Sequence, residues 1–140
     1  VADRHVLFRV ARERYALPLE AVREVVLPQP PFARVPRSGG AVRGVMNLRG
    51  RVVAVVDLAE LLDLTPQALA AGSGQVLILE RDKRALGLLV GGVLGVESLA
   101  VAADGAEGLT RAVCAASMGA VTVLEPDALA LAAAALFGAQ

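Results

Sequence analysis

The chain has 140 residues, enough for one domain or two closely packed halves, and for a core that needs no covalent staples. Hydrophobic residues make up 56% and charged residues 20%, which argues against disorder. Fourteen bases balance fourteen acids, which disfavours general binding to nucleic acid or anionic membrane.

The single cysteine, Cys114, allows no internal disulfide, and the single histidine, His5, allows no multi-histidine metal site. The apolar runs Ala85–Val96, Ala112–Leu124 and Ala128–Gln140 are 12, 13 and 13 residues long. A spanning helix needs ~18 or more. Val1-Ala2-Asp3-Arg4 lacks the pattern of a signal peptide, so a soluble, cytoplasmic protein is expected. Charge is uneven: residues 1–51 hold ten Arg and four acids, net +6, and residues 52–140 hold four bases and ten acids, net −6. That is either plain solvated surface or two poles that orient partners.

In chain order, Val6, Phe8 and Val10 alternate with other residues, and Tyr15, Leu17 and Leu19 alternate again after a charged turn. This period of two predicts a hairpin. Val22–Val26 predicts a third strand. Leu27–Gly40 carries Pro28, Pro30, Pro31 and Pro36 and reads as a loop, because proline lacks a ladder donor. Val42–Met46 and Val52–Val56 predict two strands around the turn Asn47–Arg51. The second is apolar on both faces and belongs in a sheet interior. Asp57 is placed to cap a short helix, with Glu60 three residues on to reach back. Leu58, Leu61 and Leu62 would face the core. Thr65-Pro66 ends or restarts the helix, and Ala71-Gly72-Ser73-Gly74 reads as a flexible joint.

The second half reads as a diverged copy of the first. Val76–Leu89 overlies Val6–Leu19 at an offset of 70, with four identical pairs. Gly119–Leu131 repeats the glycine, strand, acid, helix order of Gly50–Leu62. Glu125-Pro126-Asp127 opens the last helix, with proline in its first turn. Leu129, Ala133, Leu136 and Phe137 form its apolar stripe. The expectation is two similar β-units, approximate halves 1–70 and 75–140, between which strands can cross.

Enzyme signatures are weak. The run Gly91-Gly92-Val93-Leu94-Gly95 lacks dinucleotide spacing and reads as bulged or tightly packed strand. His5 has no acid–nucleophile set around it in sequence. Cys114 lies in an apolar run, where a buried, inert thiol is the default. Phe8, Tyr15, Phe32 and Phe137 are too few for a base-stacking platform. No cofactor or metal is expected. A ligand-binding or enzymatic barrel would need Asp57, His5 and Arg49 around one polar pocket.

The most informative segment is Gly44-Val45-Met46-Asn47-Leu48-Arg49-Gly50-Arg51, followed by Val52–Asp57-Leu58. Asn47 and Gly50 suit the backbone angles of a tight turn. Arg49 is not required by the turn, and its planar, five-donor guanidinium at a rigid tip is a good recognition group. A merely solvated turn arginine is the plain alternative.

This segment resembles the CheW family of chemotaxis coupling proteins. The resemblance rests on Val22-Arg23-Glu24-Val25, the proline loop, Arg43-Gly44-Val45-Met46-Asn47-Leu48-Arg49-Gly50 and the apolar strand ending in Asp57-Leu58. The later hairpin, Val76–Glu80 and Leu86–Val90, and Val121–Leu124 before a helix also fit, so the resemblance runs from about Val6 to Phe137. It implies two packed five-stranded SH3-like β-barrels sharing a hydrophobic core. It implies a non-catalytic adaptor between chemoreceptor tips and the regulatory domain of the histidine kinase CheA, in arrays at the membrane. Arg49, Glu24 and Val22 match the family's partner-binding positions. Asn47 and Gly50 shape the turn. Two departures stand out: Ala54 where the family usually has proline, and Gly91 where it often has an acid. A module that binds receptor but not kinase, or one belonging to a larger kinase or response-regulator fusion, is the alternative.

Overall fold

The computed structural model describes residues 2–28, 32–34, 39–64, 73–81, 83–101 and 106–137. Strands form where the apolar period is two. The elements are β1 (Ala2–Val10), β2 (Glu13–Pro18), β3 (Val22–Val26), β4 (Val42–Leu48), β5 (Arg51–Asp57), α1 (Leu58–Leu61), β6 (Gln75–Arg81), β7 (Arg84–Val90), β8 (Gly92–Ala100), β9 (Thr110–Ala116), β10 (Gly119–Leu124) and α2 (Pro126–Ala134). A 3-10 turn, Leu19–Ala21, bends the chain between β2 and β3. The expected hairpin and third strand are therefore present, although Leu19 belongs to the turn and not to β2. Thr65-Pro66, expected to end or restart the helix, and Ala71-Gly72 of the expected joint lie outside the described residues.

Two five-stranded sheets result, with orders β8-β1-β2-β10-β9 and β3-β6-β7-β5-β4. Each draws strands from both halves of the sequence. Hairpin β1–β2 sits among β8, β9 and β10, and hairpin β6–β7 sits among β3, β4 and β5. Replacing each strand by the one five places along the chain turns one sheet into the other, so the fold has a pseudo-twofold with exchanged hairpins. The charge imbalance between the halves is consequently divided over both sheets. Strand β5 is internal, flanked by β4 and β7, and Val53, Val55 and Val56 are fully buried. Val52, at the hairpin end, is exposed instead.

The hairpins superpose at an offset of 71, not 70. Val6, Phe8 and Leu17 share the central core with Leu77, Leu79 and Leu88. Val76, the partner of Val6 at offset 70, lies in a different cluster with Met46, Val53 and Ile78. A one-residue slip sends every side chain to the opposite face, so burial decides the register. The four identities at 70 reflect how common Val and Leu are in this chain. The later segments superpose at 68: Asp57 caps α1 and Glu125 precedes α2 at the matching position.

The central core lies between the sheets, and both helices contribute to it, through Leu58 and Ala59 and through Leu129 and Ala133. Leu61, Leu62, Leu136 and Phe137 pack against it as partly buried residues. Smaller clusters lie within each sheet, one around Val53, Val55 and Ile78, the other around Leu7, Ala16 and Val123. Burying each Leu or Phe side chain contributes roughly 1.5–3 kcal/mol, so the shared cluster binds the two sheets to each other.

Asp57 accepts from the Ala59 amide at 3.0 Å, as its capping role requires. Glu60 does not complete the box; its Oε2 is buried without a hydrogen-bond partner and sits 4.0 Å from Arg43. The amide it would reach is already taken, since the Asp57 N–H donates to the Ala41 carbonyl at 2.8 Å, while Arg43, which projects from a bulge in β4, pairs with the Asp57 carboxylate at 2.6 Å. The same device recurs in the other half. Arg111, at the bulge in β9, pairs with Glu125 at 2.6 Å. Both pairs span fourteen residues and tie a bulge to a helix start. Cys114 is half-buried on the edge strand β9, less enclosed than expected, with its thiol 3.5 Å from the Ala100 carbonyl.

Candidate partner-binding site

The tip of hairpin β4–β5 is a two-residue turn, because Leu48 pairs directly with Arg51. Its central residues both have positive φ, 51° at Arg49 and 84° at Gly50. This is the twist-matched geometry that two-residue hairpins favour. Gly50 supplies it at little cost. Arg49 does not, since a left-handed backbone crowds Cβ against the following carbonyl. Asn47 shapes the turn differently from expectation. It is a strand residue opposite Val52, and its side-chain Oδ1 accepts from the Gly50 amide at 2.8 Å. Gly44, in the same motif, has φ 137° and lies so close to the Ala33 carbonyl and Phe32 that a Cβ would collide. Ala33 thus lies on the edge of β4, where it exchanges both backbone hydrogen bonds with Val45 at 2.8 and 3.0 Å.

From this tip the Arg49 guanidinium reaches the Glu24 carboxylate on β3, across the gap between the two edge strands of the sheet. The hydrogen bond from Arg49 and then the charge of Glu24 stabilise the guanidinium, raising its pKa. The arginine stays 68% exposed while paired, so it is both oriented and accessible. Beside it, Glu80 at the end of β6 accepts from Arg51 at 2.8 Å and from Arg23 at 2.9 Å. The Arg51 hydrogen bond, with the Arg23 and Arg51 charges behind it, holds the Glu80 carboxyl below the usual range. Arg23, Arg49, Arg51 and Glu24 thus line a cleft of about 160 Å³ floored by Leu48, Val53 and Ile78, with Glu80 tied to two of those arginines.

The structure brings Arg49 and Glu24 together and sets Val22 apart from them. Arg23 is skipped in the pairing of β3 with β6, and this bulge turns Val22 toward the central core. Val26, beyond the bulge, packs on the inner cluster of the sheet. Arg23, Arg51 and Glu80 were not singled out from sequence. They flank recognisable motifs, but the β3–β6 pairing that assembles them is a contact between residues far apart in the chain.

The other sheet has a counterpart. At the tip of β9–β10, Glu97 from edge strand β8 accepts from the Ser117 amide at 2.8 Å and hydroxyl at 2.7 Å. These bonds lower the Glu97 pKa. A carboxylate from one edge strand pins the opposite hairpin tip in both sheets, but only one tip offers an arginine.

Asp57, His5 and Arg49 do not converge on one pocket. Asp57 is engaged by Arg43 and Ala59; His5, only 2% exposed, lies in the other sheet and donates from Nδ1 to the Asp3 carbonyl at 2.7 Å. Among the described residues, no cluster of three or more metal-ligating side chains is present, and no helix is long and apolar enough to cross a membrane.

The family model described as the CheW-like domain matches residues 4–137. The chain belongs to the CheW-like domain family. Among curated proteins it is similar to "Chemotaxis protein CheW" of Thermotoga maritima, 34% identical over 90 residues. It is also similar to "Probable chemotaxis protein CheW" of Rhizobium etli, 30% identical over 92 residues. These alignments cover 64% and 65% of the chain but only 57% and 58% of the relatives. Among solved structures, the scaffolding protein TtCheW from Thermoanaerobacter tengcongensis superposes with a TM-score of 0.77. At 20% identity, over 89% of this chain and 90% of that one, it shows that the CheW-like fold is kept.

Proposed function

We propose that this CheW-like domain is a non-catalytic adaptor of chemotaxis signalling, coupling the cytoplasmic tips of chemoreceptors to the regulatory domain of the histidine kinase CheA. It acts as one unit, in the cytoplasm, at membrane-bound receptor arrays. The observation that supports this reading most is Arg49. It occupies a left-handed backbone position at an exposed hairpin tip, held by Glu24 while its side chain stays 68% exposed. A residue that costs conformational energy at a turn, where cheaper residues would serve, fits a recognition role. Glu24 orients it and sets the charge register, while Arg23, Arg51 and Glu80 surround it with groups of both signs. Val22 acts from beneath, through the packing of β3.

Titration calorimetry against the regulatory domain of a chemotaxis kinase from the same genome tests this. Binding is expected for the natural chain and lost for Arg49→Glu. The exchange Arg49→Glu with Glu24→Arg rebuilds the intramolecular pair but presents reversed charges outward. It is expected to fold normally and still fail to bind. Full binding by the exchanged variant would reduce Arg49 to a structural tie and overturn the reading. Receptor binding without kinase binding would assign the chain to the receptor-only alternative.

A further inference from the structure

A second surface adjoins the Arg49 cleft, the two sharing Ala85 of β7. Between α2 and hairpin β6–β7 runs a groove of about 1000 Å³. Its floor is apolar, formed by Leu79, Leu86, Ala130, Ala133 and Phe137, and Leu131 stands on its lip at 74% exposure. Its other rim is basic. Arg81 pairs with Asp127 across the groove at 3.3 Å. Arg84 lines the same rim, with Lys83 next to it, and neither has an ion-pair partner among the described residues. The pseudo-twofold breaks here. Among the described residues, helix α1 has four residues and α2 has nine, and it is the longer helix that makes one wall of the groove.

We propose that this groove docks a short amphipathic helix carrying carboxylates, supplied by a partner protein. Nine residues of α2 span about 14 Å, which matches two to three turns of a helix laid alongside. The apolar floor takes side chains at i, i+3, i+4 and i+7 of the incoming helix. Arg84 and Lys83 select acidic flanks, and the small alanine side chains let the helix approach closely.

The test is a nitrogen-15 NMR titration of the whole chain with two designed 16-residue helical peptides. Both place Leu at i, i+3, i+4 and i+7; one fills the other positions mainly with Glu, the other with Lys. The Glu peptide is expected to give saturable shifts confined to Arg84 and Ala130–Ala134. Arg84→Glu, and separately Leu131→Glu, weakens it at least about tenfold, as loss of one good contact does. Both substituted side chains are exposed, so the fold is retained, which the unperturbed remainder of the spectrum verifies. Arg49→Glu leaves the titration unchanged, which separates this proposal from the kinase-binding one. Equal binding of the Lys peptide, no saturation up to about 1 mM, or shifts centred on Arg49 would each overturn it. So would concentration-dependent shifts in the groove without peptide, since a second copy would then be the occupant.

Discussion

Arg49 stands in a turn whose two positive φ angles suit Asn-Gly far better than Arg-Gly. Replacing Arg49 by Asn is therefore expected to raise the chemical-denaturation midpoint, since relief of left-handed strain exceeds what an exposed ion pair contributes. Tyr15 offers a second residue-scale check. It is 7% exposed and stacks on Phe8 with ring centroids 6.5 Å apart. Burial, and then the neighbouring Glu13, push its hydroxyl up to about 12 from 10.0. The folded state thus favours the neutral phenol. The associated stability is complete below pH 10 and declines as pH rises toward 12, because the unfolded chain ionises first. Tyr15→Phe should flatten that decline in denaturation curves collected between these pH values; an unchanged decline would remove Tyr15 as its source.

At the scale of elements, the repeated tie between bulge and helix start makes an unequal pair of predictions. Arg43→Ala leaves Asp57, whose side chain is 5% exposed, without its cation. Arg111→Ala leaves Glu125, whose side chain is 27% exposed and reached by water. The first should cost about 2 kcal/mol or more, the second under about 1 kcal/mol, both read from denaturation midpoints. Equal losses would mean that burial of the acid is not what sets the cost. These ties also mark the limit of what the sequence makes legible. Alternation in Val6–Leu19, Val42–Val56 and Val121–Leu124 gives the strands, and Asp57 and Glu125-Pro126 give the helix starts. Pairing of β3 with β6 cannot be read locally, so Glu80 and its two arginines stay hidden, as does the turning of Val22 to the core. Arg43 and Arg111 stand fourteen residues before an acid in both halves. The repeat offset of 70 obscures this, because the hairpins repeat at 71 and the later segments at 68. Arg49 is legible as a candidate, but its left-handed backbone and its bond to Glu24 come only from three dimensions.

The whole molecule is two sheets that exchange their central hairpins around one core. Neither half of the sequence builds a sheet alone, since β1 and β2 need β8 and β10, and β6 and β7 need β3 and β5. Unfolding should therefore be a single cooperative event. Leu17→Ala in one sheet and Leu77→Ala in the other, both fully buried in the shared cluster, should each cost ~2–5 kcal/mol and shift every probe together. Two separable transitions would contradict the interleaved account. On this frame the Arg49 tip and the α2 groove are neighbouring surfaces on hairpin β6–β7, which meet at Ala85. The most direct test of the central claim is one paired measurement on Arg49→Asn: stability by denaturation and affinity for the kinase regulatory domain by calorimetry. The account predicts a chain at least as stable as the natural one that no longer binds. Undiminished affinity in that variant would contradict it, because Arg49 would then carry its backbone strain without serving recognition.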